Sequence, residues 1–467
     1  MSAVIQETAT PPSNRQVIGA VVASCMGWAL DLFDLFVLLY VAPVVGRLFF
    51  PSEHAMLSLA AVYASFAVTL LMRPLGSALF GSYADRKGRK GAMTVAVVGV
   101  GVSTAAFGLL PTVAQAGLLA PILFLVLRLV QGVFVGGVVA STHTIGTESV
   151  AERHRGAVSG LIGGGGAGVG ALLASLTYLA MSALFPGPSF DTWGWRCMFF
   201  TGIISSLLGL FVFSRLEESP LWKTLAAQKA ARAAQAGRAD GAPAQGLARS
   251  PLRAIFSRDY RGILFVNLLL TLGGGSSYYL TSGYLPTFLK VVNQVPNGTA
   301  AAMLMLGSVV VVVASILIGH LSTLIGRKRT FIVVGILQLL ASPTLYMLLP
   351  GTTSTMTAGA YVVLLSALGS IGYAPILIFL NERFPTEVRA TGTGLSWNMG
   401  FAIGGMMPTF VSLFAGTPAD LPLTLACFIA GITLVYLIGA FIVPETAGGI
   451  DAGAGRPGAR GAGAVAR

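Results

Sequence analysis

Long apolar runs broken by short polar stretches fill almost the whole of this 467-residue chain. A helix needs about 20 apolar residues to cross the hydrocarbon core of a bilayer. Runs of that order lie near residues 17–44, 56–80, 91–111, 119–147, 156–184, 195–215, 261–289, 301–322, 330–349, 358–380, 390–415 and 421–443. Turns on one side carry the breakers Pro51, Pro111, Pro186-Gly187-Pro188, Pro296-Asn297-Gly298, Pro350-Gly351 and Pro418, and Trp193 and Trp195 fall at that boundary. Turns on the other side carry basic residues. The longest polar insertion, 217–258, separates two sets of six runs. The pattern predicts an all-α integral membrane protein, with twelve transmembrane helices arranged as two pseudo-symmetric six-helix bundles, 17–216 and 259–445. Even parity and a basic N-terminal side place both termini in the cytoplasm. Residues 1–16 lack the apolar core and cleavage site of a signal peptide, so the first span is expected to insert uncleaved. The stretch 223–250 reads either as a surface helix or as a flexible linker. The Gly-, Ala- and Arg-rich tail, 446–467, has almost nothing apolar to bury and is expected to be disordered.

A chemical phrase occurs twice. Gly81-Ser-Tyr-Ala-Asp85-Arg86-Lys87-Gly88-Arg89-Lys90 returns in weaker form as Gly319-His-Leu-Ser-Thr323-Leu-Ile-Gly326-Arg327-Lys328. Glu148 precedes Arg155 by seven residues, and Glu382 precedes Arg389 by seven. The copies stand 238 and 234 residues apart, about half the chain. Each phrase reads as a short basic loop between spans. A duplicated helix bundle with matching inner hinges explains this most simply, and transporters are the main users of that architecture.

Composition agrees. The chain is 55% hydrophobic and 10% charged, with a mean hydropathy of +0.80, against roughly 25% charged residues in a soluble domain. Lipid must cover most of such a surface. The net charge of +12 is not a nucleic-acid stripe: of 29 Lys and Arg, only Arg47, Arg73, Arg128, Arg196 and Lys290 lie outside the N-terminus, the proposed inner loops and the tail. That is positive-inside asymmetry. Cys25, Cys197 and Cys427 have neither metal nor disulfide spacing, and the four histidines form no ligand pattern.

Charges inside spans cost at least a few kcal/mol each and mark functional sites by default. Asp31 and Asp34 share one face of the first span, Arg73 lies in the second, and Arg128 and Gln131 share a face of the fourth. In the second half the polar span residues are Asn267, Tyr278, Tyr279, Tyr373, Trp397 and Asn398. At 1.5 Å per residue, Asp34 and Arg128 fall about 6 and 7 Å outward of their span centres, while Arg73 falls about 7 Å inward, nearer Asp31. If the first and fourth spans pack together, Asp34 and Arg128 meet. Burial and a neighbouring guanidinium act in opposite directions on a carboxyl's hold on its proton, so substrate occupancy can switch protonation. The plainer alternative is static salt bridges that only hold helices together.

His143 reads as a packing histidine or a proton relay. Gly163 to Gly166, with Gly168 and Gly170, lie in an apolar run with no preceding strand, which rejects a phosphate cradle and leaves close helix packing. Gly392, Gly394, Gly400, Gly404 and Gly405 read the same way. Asp85, Arg86, Arg89, Glu148 and Arg155, with Arg327, Glu382 and Arg389, are candidates for a latch that closes the inner ends in one state and parts in the other. Topology-setting charge alone is the alternative.

At these residues the chain resembles the major facilitator superfamily over nearly its whole length. Gly81 to Lys90 is similar to the signature between that family's second and third spans. Arg128-x-x-Gln131-Gly132-x-x-x-Gly136 is similar to its fourth-span motif, and Glu382-x-x-Pro385-x-x-x-Arg389 to the inner loop before the eleventh. Asp31-Leu-Phe-Asp34, Leu48-Phe-Phe-Pro51, Met72-Arg73-Pro74-Leu75-Gly76, Ala120-Pro-Ile, Trp193-Gly-Trp-Arg196 and Leu216-Glu-Glu-Ser-Pro220 resemble the metabolite–proton symporter branch. Members of that branch move organic acids and zwitterions, such as oxoglutarate, citrate, shikimate, phthalates and betaines, with protons. The resemblance implies Asp34 and Arg128 as coupling or binding groups, and Asp85, Arg89 and Glu148 as latch. Asp31 stands where the branch usually has Glu. Thr323 replaces an acid in the second signature, which predicts a weaker latch there. The Gly-Pro pair that marks antiporters in the fifth span is absent.

The expected function is secondary active transport: proton-coupled uptake of a small organic acid by alternating access, in a bacterial inner membrane, by a monomer. Asp34 and Asp31 would carry the proton, and Arg128 and Arg73 the carboxylate. Gln131 and the polar residues of the second half would complete the pocket. No cofactor beyond the coupling proton, no metal and no nucleic acid is expected. An antiporter or uncoupled facilitator of the same fold is the alternative, and a non-transport membrane receptor or enzyme a remote one.

Overall fold

The computed structural model describes residues 14–87, 89–148, 150–214, 255–384 and 389–447. The N-terminus, most of the central loop and nearly all of the tail lie outside the described residues. So do the side chains of Asp85, Arg86, Arg89, His143, Glu148 and Arg389.

Every described element is helical. Twelve rods follow the twelve apolar runs: α1 (Asn14–Phe49), α2 (Ala55–Lys87), α3 (Arg89–Phe107), α4 (Leu119–Glu148), α5 (Glu152–Leu184), α6 (Phe190–Val212), α7 (Tyr260–Val291), α8 (Asn297–Leu324), α9 (Arg327–Leu348), α10 (Thr355–Arg383), α11 (Arg389–Gly404, resuming as Met407–Phe414) and α12 (Leu421–Ile442). Ten are long and apolar enough to cross a membrane; α3 has a shorter apolar stretch, and α11 is broken at Gly405-Met406. Their outward faces expose large apolar side chains such as Leu207, Phe265, Leu340 and Phe441, as lipid contact requires.

One expectation is corrected at the first basic phrase. It is not a loop: α2 runs on to Lys87, and α3 starts at Arg89. Gly81 lowers helix propensity by only about 1 kcal/mol, too little to end a helix continuous with the long apolar run before it. In the second copy the break is Gly326, whose φ of +96° suits glycine alone, and α9 starts at the next residue.

Small residues set the rod spacing. A Cβ on Gly132 or Gly136 of α4 would strike the carbonyls of Thr69 and Arg73 on α2, so these glycines let the two backbones touch. The expected Gly163–Gly166 run is a π-helical turn, Leu161–Gly165, within α5. A second π turn in the membrane core, Tyr279–Gly283, interrupts α7. Along α5, Gly156, Gly160, Gly164 and Gly168 recur every fourth residue, and each faces α8: Gly156 meets Thr323 and Gly319, Gly160 and Gly164 meet Ser315, and Gly168 meets Ser308 and Val312. This seam joins the two halves. Gly400, Gly404 and Gly405 of α11 make similar contacts with Thr271, Ser276 and Leu70, but Gly394 faces open space and is not a packing glycine.

The halves touch near both membrane faces. On the basic side, Ser159 Oγ accepts from the Ile378 amide (3.1 Å) and Asn381 pairs with Thr147 (3.4 Å). On the opposite side, Tyr63 stacks on Tyr284 at 5.0 Å and its hydroxyl bonds Thr287 (2.7 Å), while the Lys290 ammonium lies 5.9 Å from the Phe190 ring. The halves are thus held together at both ends.

Candidate translocation site

Three of the four expected intramembrane charges sit close together inside the first half. Arg73 Nη2 lies 3.4 Å from Asp31 Oδ2, and both side chains are almost wholly buried. Asp34 is one turn further along α1 and 2% exposed; Ser205 of α6 donates to its Oδ2 at 3.5 Å.

The expected meeting of Asp34 and Arg128 does not occur. Among the described residues no ion pair joins them. Arg128 Nη1 instead donates to Gln131 Oε1 (2.7 Å), and Gln131 Nε2 donates to Thr104 Oγ1 of α3 (2.8 Å). Thr104 packs on Gly202 of α6, one turn before Ser205, which places it beside the Asp34 carboxylate without a closed hydrogen bond to it. The guanidinium lies 4.3 Å from the Phe107 ring and 5.2 Å from Phe124, so aromatic faces rather than a carboxylate surround it. The depth arithmetic matched the two residues along the membrane normal. It could not see that the Phe107 and Phe124 rings draw the Arg128 head away from α1.

The second-half candidates divide. Tyr278 and Tyr279 of α7, Tyr373 of α10 and Trp397 of α11 converge on one aromatic cluster at the boundary between halves. Tyr278 and Tyr373 rings are 5.0 Å apart, Tyr373 and Trp397 6.1 Å, and Trp397 stacks on Phe401 at 4.0 Å. The Tyr278 and Tyr373 hydroxyls face each other without hydrogen-bond geometry. Rings of the first half close the cluster: Trp28 meets Trp397 (5.8 Å), Phe36 meets Tyr278 (6.0 Å) and Phe66 meets Tyr279 (5.3 Å). Trp28 precedes Asp31 by three residues on α1 and Phe66 precedes Arg73 by seven on α2, spacings that share a helical face, so the ion pair lies beside the cage. Beside it, Tyr40, Ser282, Ser308 and Ser366 line a small crevice with Tyr278. Asn267 is not in the cage. It donates to Ser396 (3.3 Å) on the α7–α11 seam, about three helical turns nearer the basic face than Tyr278. Asn398 is buried, and its Oδ1 has no hydrogen-bond partner among the described residues.

Sequence reasoning missed Trp28, Phe36, Phe66 and Phe401. Trp28 lies three residues before Asp31 on α1, a spacing that shares a helical face; the phenylalanines carry no signal within an apolar run.

On the basic side, Arg327 binds Glu382 by two hydrogen bonds, Nη2 to Oε1 (2.9 Å) and Nε to Oε2 (3.2 Å), and its Nη1 donates to Ser322 and Thr323. The expectation of a weak second latch needs restating. Thr323 supplies no charge, but Arg327 finds its carboxylate on α10. Glu445, just past α12, accepts the Arg327 and Lys328 amides at the start of α9, and Thr446 donates to Glu382 (2.7 Å). Arg155 is half-buried in the first turn of α5, the turn that carries Gly156 against Thr323 and Arg327.

The comparisons agree with this architecture. The sequence profile described as Major Facilitator Superfamily matches residues 17–408. The inner membrane metabolite transport protein YhjE of Escherichia coli (strain K12) is 29% identical, over 92% of this chain and 94% of its own length. The proline/betaine transporter of Salmonella typhimurium is 27% identical, over 92% and 83%. The solved structure of the proton:xylose symporter XylE bound to 6-bromo-6-deoxy-D-glucose aligns with a TM-score of 0.70 at 17% identity, covering 94% of this chain and 99% of that one. A partially occluded inward-open form of XylE from E. coli aligns at 0.68, also at 17%. Twelve rods in two six-helix bundles, duplicated basic signatures and a profile match over most of the chain lead to one conclusion: the chain belongs to the major facilitator superfamily, a family of multi-pass membrane transporters rather than enzymes.

Proposed function

We propose that this transporter takes up a small carboxylate-bearing metabolite together with protons, in a bacterial inner membrane with the basic face and both termini in the cytoplasm. One observation carries the reading: the buried Asp31–Arg73 pair borders an aromatic cage built by both halves. A guanidinium there can exchange Asp31 for a substrate carboxylate, and the released Asp31 or its neighbour Asp34 can then take a proton. Rocking of the halves about the α5–α8 glycine seam exposes the cage to one side and then the other. One chain supplies the whole cage, so a monomer suffices.

The cage favours a particular kind of acid. Arg73 is the cation that borders it, since Arg128 is held among Phe107, Phe124 and Gln131. One guanidinium matches one carboxylate, and tyrosine and tryptophan faces attract an alkylammonium group. A zwitterion therefore fits better than a di- or tricarboxylate, in keeping with the names of the proline/betaine relatives.

The test is uptake of radiolabelled glycine betaine, proline and 2-oxoglutarate into proteoliposomes under an imposed inward proton gradient. Symport accelerates uptake, antiport slows it, and a facilitator of a neutral solute is indifferent. Asp34→Asn should abolish gradient-driven accumulation while leaving exchange. Full accumulation by that variant removes Asp34 from the mechanism.

A further inference from the structure

Two buried side chains, Gln131 and Thr104, stand in series between Arg128 and Asp34, and their chemistry gives the series a direction. Arginine only donates hydrogen bonds. The Gln131 carbonyl oxygen therefore faces Arg128, which turns its amide NH2 to Thr104. Thr104 Oγ1 accepts that bond, so its single hydrogen is left to donate. Its neighbour Asp34 has one oxygen, Oδ1, with no hydrogen-bond partner among the described residues. The two are neighbours, and no hydrogen bond is closed between them. All four residues are at most 2% exposed, so bulk water competes with none of these bonds.

We propose that Thr104 and Gln131 are positioning residues that relay the charge of Arg128 to Asp34 and so set how readily Asp34 takes a proton. The proposal rests on the reading of Asp34 as a proton carrier. Each donor in the series is polarised by the one before it, so the last hydroxyl offers Asp34 a stronger bond than an isolated threonine would. That bond favours the carboxylate. Protonation of Asp34 removes the acceptor, and the relay releases. Arg128 thus acts on α1 from a distance while staying outside the substrate cage.

The surroundings leave few competing influences. Asp31 lies one turn away on α1, and Arg73 of α2 is engaged with it. Among the described residues, the third and sixth helices bring the hydroxyls of Thr104 and Ser205 to Asp34. On α5, Tyr178 packs against Tyr40 and Phe190. On α7, Tyr278 packs against Tyr373, Tyr279 packs against Phe66 and Phe401, and Lys290 sits at the far end near Phe190.

The experiment needs no substrate. Purified full-length protein is titrated while the carboxylic C=O stretch is followed by infrared difference spectroscopy, and the Asp34 band is assigned by its loss in Asp34→Asn. In Thr104→Val, close to isosteric but without the hydroxyl, the Asp34 midpoint should move to higher pH by about one unit, a tenfold change in proton affinity (about 1.4 kcal/mol). Thr104→Ser should restore it, and Gln131→Leu should shift it in the same direction as Thr104→Val. Thermal unfolding reports whether each variant remains folded. A band lost in Asp34→Asn but unmoved in both Thr104→Val and Gln131→Leu overturns the relay alone. A spectrum that Asp34→Asn leaves unchanged overturns the relay and the proton assignment together.

Discussion

Arg73 reaches Asp31 across the α1–α2 boundary at 3.4 Å, with both groups almost wholly removed from solvent. Removing one member of a buried pair strands the other, at a cost of about 3–5 kcal/mol. Arg73→Ala should therefore lower the unfolding temperature sharply. The double variant Asp31→Asn/Arg73→Gln should recover most of that loss yet remain inactive, because the exchange of partners is gone. Calorimetry in detergent, paired with uptake, separates the two effects. An active double variant would reduce the pair to a structural brace.

The glycine seam makes a positional prediction. A side chain at Gly160 or Gly164 would collide with Ser315 of α8, whereas Gly394 of α11 faces open space. Gly160→Leu and Gly164→Leu should lose transport, while Gly394→Ala should keep it within about twofold, as a surface change of a few tenths of a kcal/mol would. Uptake normalised to the amount of folded protein in the membrane checks this.

Arg327 and Glu382 are 2% and 3% exposed and joined by two hydrogen bonds. A double-mutant cycle with Arg327→Ala and Glu382→Ala should return a coupling energy of about 2–3 kcal/mol. By contrast, the surface pair Arg47–Asp191, about half exposed on each side, should couple by less than about 1 kcal/mol despite its 2.7 Å separation. Similar coupling in both would contradict burial as the deciding variable.

The cage predicts selectivity. Replacing Trp397 by Ala should weaken glycine betaine binding about tenfold or more, the scale of a desolvated cation–π contact, and Trp397→Phe should recover part of it. Isothermal calorimetry with glycine betaine, against 2-oxoglutarate as the doubly charged comparison, reads this directly. Equal losses for both ligands would argue that Trp397 only shapes the cavity.

The site was legible in the sequence in uneven measure. Asp31, Asp34, Arg73 and Arg128 were found because a charge in an apolar run has no bland explanation. Depth put Arg73 nearer to Asp31 than to Asp34, and the structure pairs it with Asp31. The pairing of Asp34 with Arg128 did not hold, because depth orders residues along the membrane normal and says nothing about rotation about each helix axis. Thr104 and Ser205 carry no charge, and hydroxyls are common in apolar runs, so neither stood out. Phe66 and Phe401 read as ordinary lipid- or core-facing residues until the two halves were brought together.

The apolar run lengths, the duplicated basic phrases and the placement of lysine and arginine by themselves determined a twelve-helix membrane protein in two halves. Those features are local: hydrogen bonding in lipid forces each run to be a helix, and charge fixes which ends stay in water. Tertiary structure alone decided which faces meet: that Gly156, Gly160, Gly164 and Gly168 abut α8, that rings from five helices close around one space, and that Gln131 and Thr104 stand between Arg128 and Asp34. Those are contacts between residues tens to hundreds of positions apart, set by the azimuth of each rod and by the volume of the side chains between them, and no one-dimensional pattern encodes either.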